Sequence, residues 1–319
     1  MSALTAYHMN DLQPNRLPWK RVLLGSAKLV LVALVLYFAG RQILDALAGA
    51  RKHPIHFSFG WLAASAVSYS LGMALFGVFW RRTLVDMGGR IGLGESLRAY
   101  FISQLGKYVP GKAWVVLIRC MLAGSKQTQP ATVAVSAFYE TFAIMGIGAL
   151  IALPALAWAG TMGVMLPIAL ALAVGFLIAV QPPVFSRLVT LVALPFRKKG
   201  EQLAKPVGYS TLWGGVYLLI GGWVLIGLSA VAAGAGTGTR VPIVPAIGAM
   251  ALGTAGGFAV IFMPAGLGAR EWLLMKLLEP ALGPAAAVVA VTMRLVQVVV
   301  ELILGGVLFL VGRGKASDG

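Results

Sequence analysis

The chain has 319 residues, of which 59% are hydrophobic and only 11% are charged. Its mean hydropathy of +0.87 and its repeated apolar runs of about 20 residues exclude an ordinary soluble protein and indicate an all-α polytopic membrane protein. The net charge of +16 does not predict a nucleic-acid partner, because the cations are scattered at the ends of apolar runs, where basic residues anchor helices at the membrane surface.

Cysteine and histidine usage indicates no metal site. The single Cys120 excludes a disulfide within one chain. The histidines His8, His53 and His56 all lie in the polar N-terminal part, where a loop explains them better than a zinc site. We therefore expect no metal ion and no cofactor.

The first half of the chain is predicted to cross the membrane three times. A polar cytoplasmic tail, residues 1–19, precedes the first span, which we interpret as an uncleaved membrane anchor. Basic residues lie before the first span and after the second span, and they place these two ends in the cytoplasm. The three predicted spans are Val22–Gly40, Trp61–Trp80 and Ala131–Leu153.

A broken helical segment, Ile91–Ala123, lies between the second and third of these spans. Its arms, Leu97–Leu105 and Ala113–Ala123, are each too short to cross, since a spanning helix needs about 20 residues. Glycine and proline in the run Gly106–Gly111 interrupt the helix between the arms. The pattern predicts a re-entrant hairpin that enters and leaves on the cytoplasmic side.

The second half repeats this order of elements. A span at Thr161–Val180 is followed by a basic cytoplasmic loop, residues 182–208, and by a span at Tyr209–Ala233. A second broken segment, Val244–Pro280, precedes the last span, Pro284–Val311.

The chain is thus predicted to form one membrane domain over residues 1–319, with six crossings, two re-entrant hairpins and both termini in the cytoplasm. Residues 313–319 form the C-terminal tail. The halves, residues 1–155 and 160–312, start on opposite sides of the membrane, so we hypothesise an inverted repeat, a common plan of transporters.

The break in the first hairpin carries the main candidate ligand site. Its sequence from Gly106 to Ala113 resembles a nucleotide-binding phosphate loop, but Ala113 lacks the required hydroxyl and Pro110 lacks an N–H group. A glycine-rich backbone that opens a helix with lysines alongside still favours an anion. We therefore predict a substrate site from Lys107, Tyr108, Gly111, Lys112, Trp114 and Arg119.

The second break offers a similar arrangement. Gly266 and Gly268 precede a helix that begins near Ala269, and Arg270 at that N-terminus could hold an anion or pair with Glu271. We place these residues in the outer half of a two-sided path for lipid headgroups, with Lys107, Lys112 and Arg119 in the inner half.

Three further charges lie inside predicted spans, where ionisable residues mark functional sites by default. Glu140 lies in the third span, and Arg294 and Glu301 share one face of the last helix. We expect carboxylates to pair with intramembrane arginines and Arg294 to pair with Glu301, although substrate contact is an alternative for all three. Tyr108 and Trp114 could also be anchors at the membrane interface.

Two motifs together resemble one known family. The run SQLGKYVPGKAW with Arg119 after it, Glu140 within the membrane, and PAGLGARE at Pro264–Glu271 are similar to those of the lysylphosphatidylglycerol synthase transmembrane-region family, also called flippase-like domain proteins. The resemblance covers nearly the whole chain and implies translocation of a lipid with a charged or glycosylated headgroup. The synthases of this family carry a soluble aminoacyl-transferring domain that is absent from these residues, so we expect no synthase activity.

Three classes of function remain open at this point. The first is a lipid flippase of the inner, cytoplasmic membrane with membrane lipids as its substrates. The second is a non-transporting partner of a lipid-modifying enzyme or a glycosyltransferase. The third is an intramembrane lipid-modifying enzyme, which is disfavoured because general acid–base chemistry would rest on Glu140, Glu271 or Glu301 alone.

Overall fold

A computed structural model of the chain describes residues 57–108, 113–125, 127–158, 160, 162–193, 205–259 and 269–317. These residues form no β-strand, and the predicted first span, Val22–Gly40, lies outside them. The described part contains ten α-helices: α1 (Phe59–Asp86), α2 (Leu93–Gln104), α3 (Ala113–Ala123), α4 (Pro130–Trp158), α5 (Met162–Ala179), α6 (Pro182–Ala193), α7 (Tyr209–Gly236), α8 (Ile243–Ala259), α9 (Ala269–Leu282) and α10 (Ala285–Ser317).

Four of these helices, α1, α4, α7 and α10, are long and apolar enough to cross a membrane. They correspond to four of the six predicted crossings, so the helical membrane class is confirmed. The bent pair α5 and α6 counts as a fifth crossing if it is one broken span. The sidedness of the termini stays a prediction.

The region after Val180 differs from the prediction. A basic loop was expected over residues 182–208, but α6 forms there, at 81° to α5. Pro182 and Pro183 occupy the first turn, where the missing N–H groups cost nothing and the restricted φ favours a helix. The proline pair thus starts a new helix in another direction, where the sequence predicted a loop.

Helices α1 and α7 form a closely packed antiparallel pair. The Ser58 N–H donates to the Gly236 carbonyl at 2.9 Å at one end, and at the other end the Gly208 N–H donates to the Asp86 carboxylate at 2.7 Å. Between these ends small residues let the backbones approach: a Cβ added to Gly72 would lie 2.9 Å from the Gly222 carbonyl oxygen. Such close packing of small residues is how helices associate in lipid.

The main helix contacts fall into two matching sets. Within α1–α4, contacts join α1 to α2, α2 to α3, α3 to α4 and α1 to α4, and each has its counterpart within α7–α10. Between the sets, the contact of α2 with α10 mirrors that of α8 with α4. The corresponding helices α1 and α7 run antiparallel. A two-fold axis that relates the two sets would therefore be perpendicular to these helices, as an inverted repeat requires. The superposition of the halves stays a prediction.

Both broken segments form packed helix pairs, as predicted. Helix α2 continues into a 3-10 turn, Leu105–Tyr108, and packs against α3, while α8 packs against α9. Gly106 lies where the first pair closes, because a Cβ added there would lie 2.8 Å from the backbone of Trp114 and of Val115. Whether the pairs are re-entrant in the membrane stays a prediction.

We expect Gly106→Ala to lower the free energy of unfolding by about 1–3 kcal/mol, the usual cost of an overpacked site. The added methyl would collide with the backbone of α3, which cannot move aside as a flexible side chain would. Gly175→Ala in α5 is the matched control, since nothing lies within 4 Å of a Cβ there. Thermal unfolding in detergent micelles measures both, and equal stability of the two variants would contradict the close approach.

Candidate functional site

The carboxylate of Glu301 is the centre of a buried polar cluster. Glu301 lies at the midpoint of α10 and is 2% exposed. Lys107 Nζ lies 2.5 Å from Oε1, the Tyr108 hydroxyl donates to Oε2 at 2.7 Å, and the Tyr69 hydroxyl also donates to Oε1. These three donors come from the first hairpin and from α1, so one side chain of the last helix holds the tip of the first hairpin.

The packing of α2 along α10 brings the hairpin tip to Glu301. Arg98 Nε donates to the Leu308 carbonyl at 2.9 Å. Further along the same helices Gly305 makes room for Leu105, since an added Cβ would lie 2.9 Å from the Leu105 side chain. The 3-10 turn after Gln104 then directs Lys107 and Tyr108 toward α10.

The cluster continues two turns earlier on α10. Arg294 Nε lies 3.4 Å from Glu271 Oε1, and the Arg294 guanidinium lies 5.7 Å from the centre of the Tyr108 ring. Gln297, between Arg294 and Glu301 on the same helix, is 1% exposed. Helix α9 thereby contributes to the same cluster as the first hairpin.

The described part of this cluster has an excess of positive charge. Lys107, Arg270 and Arg294 carry three positive charges, whereas Glu271 and Glu301 carry two negative ones. Arg270, at the start of α9, is half-buried and acts electrostatically on Lys107 and Tyr108. One net positive charge inside a helical membrane protein is costly unless an anion or water accompanies it.

A second polar centre is fully balanced. Arg119 Nη1 on α3 donates to Glu140 Oε2 on α4 at 2.8 Å, and both side chains are buried. Tyr100 donates to the other Glu140 oxygen at 3.1 Å, and Arg119 Nε donates to Ser103 at 3.2 Å. The Arg119 guanidinium also lies 4.6 Å from the ring centres of Trp80 and Tyr100. This centre cross-links four helices and leaves neither charge in excess.

The polar contacts bear on several predicted site residues. The expected pairing of Arg294 with Glu301 is wrong, because Glu301 accepts from Lys107 and Arg294 faces Glu271. Lys107 and Arg119, both assigned to the substrate site, each have a carboxylate partner from a distant part of the chain. The Tyr108 hydroxyl takes part in the buried cluster, so the alternative interpretation of Tyr108 as an anchor at the membrane interface is wrong.

The other predicted site residues are divided between described and undescribed parts of the chain. Trp114 is half-buried in the first turn of α3, and Arg270 and Glu271 form the first turn of α9. Glu140, predicted to pair with an intramembrane arginine, pairs with Arg119. The residues Gly111, Lys112, Gly266 and Gly268 lie outside the described residues.

Sequence reasoning missed Tyr69 and Tyr100. Each hydroxyl donates a hydrogen bond to an intramembrane glutamate. In the sequence, however, each tyrosine lies in a predicted helical segment, where an aromatic side chain usually belongs to the core or faces lipid. Gln297 was also not among the predicted site residues, although it lies on the same helix face as Glu301. A signal for it did exist, since an amide inside a spanning helix needs a partner.

A family model described as the lysylphosphatidylglycerol synthase TM region matches residues 25–305, which is most of the chain. No curated protein matches the chain.

Proposed function

Because the chain belongs to the lysylphosphatidylglycerol synthase TM region family, we propose that it moves a lipid with a negatively charged headgroup between the leaflets of the inner cell membrane. The family is one of integral membrane proteins in lipid-related processes, and translocation is the finer step that we add. The observation that carries the proposal is the buried cluster around Glu301, whose described residues include three cations and two carboxylates.

A lipid headgroup crosses slowly because its charge must leave water for hydrocarbon. A buried cluster with one surplus cation can substitute for part of that water. The anionic headgroup would supply the missing negative charge and could replace Glu301 as the partner of Lys107. Because Lys107 belongs to the hairpin tip and Glu301 to α10, that exchange would free one element from the other.

The same chemistry supports a binding role rather than catalysis. The carboxylates of the described cluster face cations, and Glu301 also accepts two tyrosine hydroxyls. A carboxylate held in this way is a poor general base, since its charged form is already stabilised. We therefore propose that the protein is not an enzyme and that lipids are its direct ligands.

The test is to reconstitute the protein in liposomes and to measure inter-leaflet movement of three labelled lipids of equal chain length. We expect anionic phosphatidylglycerol to move at least about tenfold faster than zwitterionic phosphatidylcholine or a neutral glycolipid, the ratio that about 1.4 kcal/mol of selective interaction gives. Protein-free liposomes give the background. Equal rates for all three lipids would contradict charge selection, and no movement of any lipid would favour the role of a partner for a lipid-modifying enzyme.

A further inference from the structure

Two buried nitrogen donors on α10 have no hydrogen-bond partner among the described residues. They are Arg294 Nη1 and Gln297 Nε2. The Arg294 side chain is 10% exposed and Gln297 is 1% exposed, so little bulk water reaches either. Buried polar groups are nearly always hydrogen-bonded, and one that is not calls for an explanation such as a functional role, an ion or an ordered water.

The contact of Arg294 with Glu271 leaves the guanidinium available for a ligand. The Nε to Oε1 distance of 3.4 Å is longer than the about 2.7–2.9 Å of a good charge-assisted hydrogen bond. The contact uses Nε, whereas Nη1 is the nitrogen without a partner among the described residues. Arg119 differs from Arg294 in this respect, because its Nη1 bonds a carboxylate at 2.8 Å and its Nε bonds a hydroxyl.

The spacing of the two donors places them on one side of α10. Residues three apart lie about one turn apart on the same helix face, and Glu301 comes four residues after Gln297. The donors therefore lie on the face that meets the first hairpin tip, where Lys107 binds Glu301.

We propose that Arg294 Nη1 and Gln297 Nε2 bind phosphoryl oxygens of the lipid headgroup, so that the ligand of this site is an anionic lipid whose negative charge is carried by a phosphate. This inference rests on the proposed function and specifies its substrate class. A planar guanidinium is suited to the oxygens of a phosphate. The other cations, Lys107 and Arg270, come from the first hairpin tip and from α9, and the oxygens of a tetrahedral phosphate can accept bonds from several directions at once.

Binding measured in detergent micelles tests the site without requiring transport. Isothermal titration with a short-chain phosphatidic acid, with inorganic phosphate and with the matching neutral diacylglycerol separates the phosphate from the acyl chains. We expect the phosphatidic acid to bind and the diacylglycerol to bind at least about tenfold more weakly, because the diacylglycerol lacks the charged acceptor. Inorganic phosphate binding as tightly as the lipid would identify free phosphate as the ligand of the same site, and equal binding of the diacylglycerol would overturn the proposal.

Gln297→Leu separates a ligand role from a structural one. The Nε2 donor has no hydrogen bond within the described residues, so we expect the melting temperature to stay the same or to rise. Affinity for the phosphatidic acid should fall about 10- to 100-fold, the usual loss for a hydrogen bond to a charged group. Unchanged affinity, or a lower melting temperature in the absence of ligand, would overturn the assignment.

Arg294→Lys provides a second variant that keeps the charge. Lysine lacks the planar fork, so we expect at least about tenfold weaker binding of the phosphatidic acid. Arg240→Gln is the matched control, because Arg240 is an exposed arginine outside the cluster, and it should bind as the wild type does. Wild-type affinity of Arg294→Lys would overturn the proposal. A protein that binds the phosphatidic acid but moves no lipid would keep this site and lose the proposed transport, so the two failures are distinguishable.

Discussion

Replacing Glu301 with glutamine is expected to lower the free energy of unfolding by about 3–5 kcal/mol, the usual cost of removing one member of a buried ion pair. Lys107 would keep its charge without a carboxylate to neutralise it. The hydroxyls of Tyr69 and Tyr108 would have to share a neutral amide oxygen, a weaker acceptor than the carboxylate. Equilibrium unfolding in mixed detergent micelles measures the change.

Glu279→Gln is the matched control for this prediction. Glu279 pairs with Lys276 at 2.7 Å, but both side chains are about half exposed, and exposed pairs contribute only about 0–1 kcal/mol. If Glu301→Gln were as stable as Glu279→Gln, the carboxylate of Glu301 would not hold the hairpin tip against α10.

Replacing Arg119 with methionine is expected to lower the free energy of unfolding by about 3–5 kcal/mol, and adding Glu140→Leu should restore most of that loss. The single variant leaves a buried carboxylate without its cation, whereas the double variant removes both charges. The Tyr100 hydroxyl would still lose its acceptor, so recovery is incomplete. The same unfolding measurement applies to both variants.

The double variant also separates the two polar centres by function. The pair Arg119 and Glu140 has no surplus charge, so we expect lipid movement in liposomes within about twofold of the wild-type rate. A stable double variant that moves no lipid would contradict this separation and return Arg119 to the headgroup path that the sequence predicted.

Each polar centre contains an ion pair that joins the last two helices of one set. The pair Arg119 and Glu140 joins α3 to α4, and Glu271 with Arg294 joins α9 to α10, with the charges exchanged. The first pair is short and hydrogen-bonded, whereas the second is longer and leaves Arg294 Nη1 without a partner among the described residues. The pair between α3 and α4 is thus a structural cross-link, whereas the pair between α9 and α10 belongs to the proposed ligand site.

The helices could be predicted from the sequence because their signals are local. The break at Gly106 is visible in the sequence, and the structure explains it by the close approach of Gly106 to the α3 backbone. Helix α6 was missed because Pro182 and Pro183 fit both the end of one helix and the first turn of the next. A proline pair indicates that the chain changes direction, but it does not distinguish a loop from a second helix.

The ion pairs could not be predicted in the same way, because they join distant parts of the chain. Lys107 and Glu301 are 194 residues apart, and no local pattern predicts their contact. The spacing of Arg294 and Glu301 suggested a pair on one helix, but each side chain meets a partner from another element. The sequence could single out charged residues inside predicted spans as candidate sites, while their partners depended on the packing of α2 and α9 against α10.

The proposed transport depends most directly on the surplus positive charge, and Arg270→Gln removes one positive charge from that cluster. In the liposome assay we expect this variant to move phosphatidylglycerol at least about tenfold more slowly than the wild type. A tenfold change corresponds to the loss of about 1.4 kcal/mol of interaction with the crossing headgroup. Lys276→Gln is the control, because it removes an exposed cation of the same helix, α9, and it should move the lipid at the wild-type rate. Equal rates for Arg270→Gln and Lys276→Gln would contradict the claim that the buried surplus charge carries the headgroup.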